Sequence, residues 1–293
     1  MPNATCILIA YALVLGGEWV RWWIPSGQTV RDRWIRIVLT LLFSLAFLTH
    51  SFYLLDRLFV AVGNGAGPGF ISWHDGAIFA SWLIAAVYGF LLIRRGDSRT
   101  GAFILPPVLL VAGSLALPAV SATDRSFSVS GWRFAHSVSM VVGTVLVSIG
   151  FAMGVMYFLQ SSHLKNKRRL QSRISLPSLE YLQASGRACL LGSAVSIGLG
   201  VLTGVVMNLT KDGRVEWLDR GILFSGGLFL WLAFASLAQS ILTKRGSGRA
   251  TAAMNILSFA IVAAAIGLVL STQHGSNRKV DVESAAHELG EAS

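Results

Sequence analysis

Residues 132–170 read WRFAHSVSMVVGTVLVSIGFAMGVMYFLQSSHLKNKRRL. No Asp, Glu, Lys or Arg stands between Arg133 and Lys165, and the run ends in a burst of cations at Lys165, Lys167, Arg168 and Arg169. About 20 mostly apolar residues are enough for a helix to cross the hydrocarbon core, and in lipid a helix satisfies its own backbone polar groups. Residues 135–160 therefore predict a membrane span, and the cations behind it mark the end held in the cytoplasm.

Moving outward, the same pattern recurs at 4–22, 35–54, 74–93, 101–121, 187–208, 220–242 and 250–271, giving about eight spans. Composition agrees: 54% of the 293 residues are hydrophobic and 13% are charged, where a soluble domain carries about 25% charged residues. The fold class is all-α, a polytopic integral membrane bundle occupying residues 1–275, with a polar and disordered tail at 276–293. The first span does not read as a cleavable signal peptide, because its positive flank, Arg21, follows the apolar run and no basic segment precedes it.

Lys and Arg sort by loop. The loops after spans 1, 3, 5 and 7 hold sixteen of the 24, including Arg31, Arg33, Arg36, Arg94, Arg95 and the run from Lys165 to Arg173; the other loops and the tail hold eight. This two-to-one bias places the odd-numbered loops inside and both termini outside. It also accounts for the net charge of +10 without a nucleic-acid partner. The basic loop after span 5 suits anionic membrane lipids, and a segment around Leu176 to Leu182 is expected to lie in the interface as a short helix. Gly192, Ser196, Gly200 and Gly204 repeat every four residues in span 6, a spacing that lets helices approach closely. Cys6 and Cys189 are far apart, and no C-x-x-C-H motif occurs, so neither a zinc knuckle nor a covalent haem attachment is indicated.

Ionisable residues within spans are functional candidates by default. Glu18 lies near Arg21 at the inner end of span 1, where pairing or snorkelling accounts for it. His50, His74, His136 and His274 come from four different spans, and the expected topology puts all four at the outer face; His163 falls at the opposite face and His287 in the tail. Imidazoles at a membrane edge suit haem ligation, metal binding or proton relay. Haem needs only one or two of them together with aromatic walls, which Trp73, Trp132, Trp217, Phe52, Phe127 and Phe134 are placed to supply. The loop TKDGRVEWLDRG, 210–221, sets Trp217 and Asp219 beside Arg214 and Arg220, cations able to pair with carboxylates of a flat macrocycle.

On these residues the chain resembles the cytochrome c assembly proteins, nearest the CcsA-related, HemX-like branch of haem-handling membrane proteins. WRFAHSVSM looks like the start of the helix that carries one flanking histidine, here His136, and LPSLEYL like the segment before the next span. VEWLDRGILFSGG is similar to the end of the family's tryptophan-rich WWD segment, matching Trp217 and Asp219, and LSTQHGS to its closing histidine motif, here His274. The full W-x-W-D-P-K-E core is absent, and Gln239 stands where cytochrome-assembly members place another histidine.

The resemblance implies a haem-handling role in cytochrome c biogenesis. His136 and His274 would be the iron ligands of one haem b, Trp217 and Asp219 would lie against it, and His50 would serve a second or transit site. It also implies apocytochrome c or other cytochrome c assembly proteins as partners, and binding and transfer rather than covalent catalysis. Two further classes remain open: a cytochrome b-like electron-transfer subunit, and a membrane regulator of tetrapyrrole synthesis acting through the basic loop at 165–173. A small-solute transporter is disfavoured, because no span is broken around a charged centre.

Overall fold

In the computed structural model, residues 4–23, 30–63, 73–94, 100–113, 131–165, 176–212, 220–243 and 248–264 are described. Apart from Thr100 and residues 176–178, all of them are helical. The helices are α1 (Ala4–Trp23), α2 (Val30–Gly63), α3 (Trp73–Arg94), α4 (Gly101–Gly113), α5 (Gly131–Lys165), α6 (Leu179–Asp212), α7 (Arg220–Thr243) and α8 (Gly248–Ala264). The architecture of the described residues is thus all-α.

Five helices, α2, α3, α5, α6 and α7, are long and apolar enough to cross a membrane; α4 and α8 are shorter apolar helices. The spans expected at 101–121 and 250–271 run past Gly113 and Ala264 into residues outside the described ones. Helices α2, α5 and α6, of 34, 35 and 34 residues, are about 50 Å long at 1.5 Å per residue. They outreach a hydrocarbon core of about 30 Å, so the expected spans 35–54, 135–160 and 187–208 are only their middles.

The pairs α1–α2, α2–α3, α5–α6 and α6–α7 pack antiparallel. Along α5 and α6, His136 faces Gly204, Met140 faces Gly200, Gly143 faces Ile197 and Leu146 faces Gly192. Gly192, Gly200 and Gly204 of the four-residue repeat therefore do bring two backbones together, the close approach that missing Cβ atoms permit. The same sense holds for α6 and α7, where Gly198 meets Phe229 and Ser236 Oγ donates to the Leu190 carbonyl at 3.2 Å. Between α2 and α3, Trp82 Nε1 donates to Ser51 Oγ at 2.8 Å, and Phe43 meets Tyr88 edge to face. On α8, Asn255 Nδ2 donates to the Gly186 carbonyl of α6 at 3.2 Å, while Ala252 and Asn255 back onto Gly154 and Gly150 of α5.

Two apolar cores result. One joins α1–α6 around Tyr11, Phe43, Ile84, Tyr88 and Met156; the other joins α5–α8 around Val147, Ile197, Leu232 and Val262. The α5–α6 pair is the wall they share. Large apolar side chains left outside form stripes at helical spacing: Leu41, Leu45, Leu48, Phe52 and Leu55 on α2, and Leu230, Phe234, Leu237 and Ile241 on α7. Water would penalise such stripes by about 25 cal/mol per Å², and they are the surface lipid solvates. The chain is a multi-pass membrane protein.

One local expectation is corrected. Residues 179–182 do not form a separate interfacial helix; they are the first turn of α6. Ser178 caps that turn, its Oγ accepting from Tyr181 N at 3.3 Å and its carbonyl from Leu182 N at 3.0 Å. Pro177 before the cap and Glu180 in the first turn suit a helix start.

Candidate functional site

His136 is the sixth residue of α5. The antiparallel register sets it against the last third of α6, where Gly204 leaves room: a Cβ at 204 would stand 3.0 Å from His136 Nδ1. The half-buried ring reaches the Gly200 carbonyl with Nδ1 at 2.7 Å. A carbonyl oxygen only accepts, so Nδ1 carries the proton in this contact, and in the neutral ring Nε2 is left with its lone pair. Metal-ligating histidines take this arrangement: the second nitrogen donates to a carbonyl or carboxylate, which fixes tautomer and ring plane and makes the free nitrogen more basic. Trp132 and Phe134 stand exposed on the preceding turn.

Arg57 on α2 and Asp75 on α3 close the same end of the bundle with two hydrogen bonds of 2.8 and 3.2 Å to one carboxylate oxygen. Gly76 beside Asp75 approaches Val141 of α5, which ties this end of α3 to the turn after His136.

His50 is placed differently from expectation. It lies within the bundle, not at its edge: its side chain is fully buried, and it sits four residues past the middle of the apolar segment Arg33–Phe59. α2 carries on for about two and a half turns beyond the expected span end, and Tyr11 of α1 covers the ring. His50 Nδ1 lies 3.2 Å from the Tyr11 hydroxyl of α1, and the two rings meet edge to face. The Ile78 carbonyl of α3 is near the ring but outside hydrogen-bonding geometry to Nε2, which is buried without a hydrogen-bond partner. A buried polar nitrogen without a partner costs about 1–3 kcal/mol. Tyr11 was missed in the sequence, although its hydroxyl is the one such group between Thr5 and Glu18.

At the opposite end of α1, Glu18 pairs with Arg21 at 3.7 Å and accepts from the Tyr88 hydroxyl at 3.0 Å. Glu18 and Arg21 are 1% and 3% exposed. They pair inward, as Glu18 at i and Arg21 at i+3 allow, and do not snorkel.

Trp217, Asp219 and His274 lie outside the described residues, as does the side chain of His74. The helix ends Asp212 and Arg220, which flank 213–219, stand at the His136 end of the bundle. Among the described residues, His136 and His50 are not shown in contact, and no group of three or more His, Cys, Asp or Glu side chains gathers as a metal site. Haem iron needs only one or two imidazoles; the tautomer of His136 fits that donor chemistry.

Bundle, lipid-facing stripes and buried imidazoles define a polytopic helical membrane protein with histidine nitrogens presented from inside and from one end. No protein-family model and no solved structure matches the chain. Two curated proteins do. The uncharacterised 28.8 kDa protein in the nifR3-like 5′ region of Azospirillum brasilense is 24% identical over 181 residues, 59% of this chain and 67% of that protein. The cytochrome c biogenesis protein CcsA of Trieres chinensis is 21% identical over 222 residues, 64% of this chain and 70% of that protein. The chain is thus distantly similar to a cytochrome c biogenesis protein of the CcsA type.

Proposed function

We propose that this protein is a haem-handling membrane protein of cytochrome c biogenesis. The observation that carries the proposal is the His136 Nδ1 contact with the Gly200 carbonyl at 2.7 Å, which leaves Nε2 free for iron in a chain distantly similar to CcsA. His136 and His274 hold one haem b at the outer face, beside Trp217 and Asp219, and His50 offers a second ligand deeper in the bundle. The bundle has eight spans over residues 1–275, a polar tail at 276–293, and both termini outside a plasma (inner) membrane. Partners are apocytochrome c or other cytochrome c assembly proteins.

Haem, when bound, would supply an iron that takes imidazole as a ligand. The chain's own part is to hold and orient it. The Gly200 carbonyl keeps the His136 proton on Nδ1, and the α5–α6 glycine contacts fix the ring's height on the helix. Lipid-facing apolar surface keeps water from the bundle. No covalent step is required of any side chain.

The test is hemin titration of the detergent-purified protein alongside topology reporters fused after residues 136 and 274. The proposal expects saturable binding with a Soret shift, weakened in His136→Ala and His274→Ala, and both reporters on the extracytoplasmic side. Reporters on opposite sides of the membrane, or identical titrations for the wild type and both variants, would refute it.

A further inference from the structure

The carbonyl that holds His136 is shared. Thr203, just under one turn further along α6, places its Oγ1 2.7 Å from the Leu199 carbonyl oxygen and 3.0 Å from the Gly200 carbonyl oxygen. Its hydroxyl has one proton, so it donates to one of the two or divides between them. The Gly200 oxygen also faces the Gly204 amide in the α6 ladder and accepts from His136 Nδ1 at 2.7 Å. Three donors thus meet one oxygen with two lone pairs. Hydroxyls that bond back to the preceding turn occur in many helices. This one matters because its second acceptor is also the partner of a ring on another helix.

We propose that Thr203 is a positioning residue that moderates His136 as a haem ligand by competing for the Gly200 carbonyl. The inference rests on the haem reading above. With the hydroxyl proton on Leu199, the Gly200 oxygen is open to His136, whose proton stays on Nδ1 and whose Nε2 presents a lone pair. With the hydroxyl proton on Gly200, that oxygen is a poorer acceptor and the ring's hold on the tautomer slackens. Rotation of the hydroxyl alone moves the proton between the two carbonyls, and no backbone bond need change. The competition bears on iron because the acceptor at the second nitrogen sets the basicity of the ligating one. A ligand of intermediate strength suits a protein that must release what it holds.

Thr203→Val in the detergent-purified full chain tests this, since it removes the hydroxyl and keeps the β-branched shape. The first readout needs no haem: the nitrogen-15 shifts of the His136 ring at alkaline pH, which report how the proton divides between Nδ1 and Nε2. The second is the rate at which hemin leaves the loaded protein for excess apomyoglobin. The expected result is a larger Nδ1–H fraction in Thr203→Val and hemin release about fivefold slower, part of the roughly 10–100-fold effect of losing such a partner outright. Thr203→Ser keeps the hydroxyl and should match the wild type in both. Thr210→Val removes another back-bonding hydroxyl of α6, one that donates to the Met207 carbonyl at 2.9 Å. It should change neither readout, which separates the competition from a change in helix bend. A wild-type tautomer ratio in Thr203→Val, or a shifted ratio with unchanged release, overturns the proposal. Failure of the haem reading looks different: hemin release is then the same in His136→Ala as in the wild type, which removes the ligand and with it the effect of Thr203 on haem, whatever the tautomer ratio.

Discussion

Gly204→Ala perturbs the proposed iron ligand without touching it. The added methyl would stand 3.0 Å from His136 Nδ1 and 3.2 Å from Cε1, closer than carbon sits comfortably to a ring. The ring must yield by a few tenths of an ångström, away from α6 and from the Gly200 carbonyl. The 2.7 Å hydrogen bond then lengthens or tilts, and up to about 1 kcal/mol of it is lost. The fold should absorb this, because the ring is half-buried and one methyl is small. Ligand strength should not, since losing the partner of a ligating histidine typically costs 10–100-fold in metal affinity. We expect hemin affinity to fall about tenfold in Gly204→Ala, with a thermal midpoint within a few degrees of the wild type. Gly226→Ala, where a Cβ meets nothing within 4 Å, should change neither. If His136→Ala weakened hemin binding while Gly204→Ala left the titration unchanged, the claim that the Gly200 carbonyl sets the ligand's tautomer would be refuted.

Three further outcomes are expected. Tyr11→Phe removes the hydroxyl at 3.2 Å from the buried His50 ring and should destabilise the protein by about 1–2 kcal/mol; labelling of the buried Cys189 thiol during heating reports the shift, and an unchanged midpoint contradicts the pairing. Glu18→Leu leaves Arg21, 3% exposed, without its carboxylate and should destabilise by about 3 kcal/mol or more; adding Arg21→Leu should recover part of that loss, and strict additivity of the two would deny the buried pair. Gly154→Ala places a methyl 2.8 Å from the Ala252 carbonyl oxygen and should loosen α8 from α5 at a cost of about 1–3 kcal/mol, read as a lower thermal midpoint; a wild-type midpoint would contradict the close contact.

The helical membrane fold was legible because its signal is local. An uncharged run such as 134–164 has one good solution in lipid, and the four-residue glycine spacing of α6 announced a close helix neighbour before that neighbour was known. What the sequence hid depends on distance. The burial of His50 needed Tyr11 of α1, 39 residues away, which hydropathy alone does not report. The inward turn of Glu18 and Arg21 needed Tyr88, 70 residues away. The contact between His136 and Gly200 needed the α5–α6 register, since a shift of one residue would aim the ring elsewhere. Ser178 as a cap was readable, yet the apolar pattern of Leu176, Leu179 and Leu182 around it favoured a separate short helix over the first turn of a long one.

The central claim is that His136 Nε2 binds haem iron. Its most direct measurement is the absorption spectrum of His136→Ala purified from haem-replete cells, before and after adding imidazole. The account predicts a diminished, blue-shifted Soret band that imidazole restores towards the wild-type position, because free ligand enters the space the ring has vacated. A band identical to the wild type, with no response to imidazole, would contradict it.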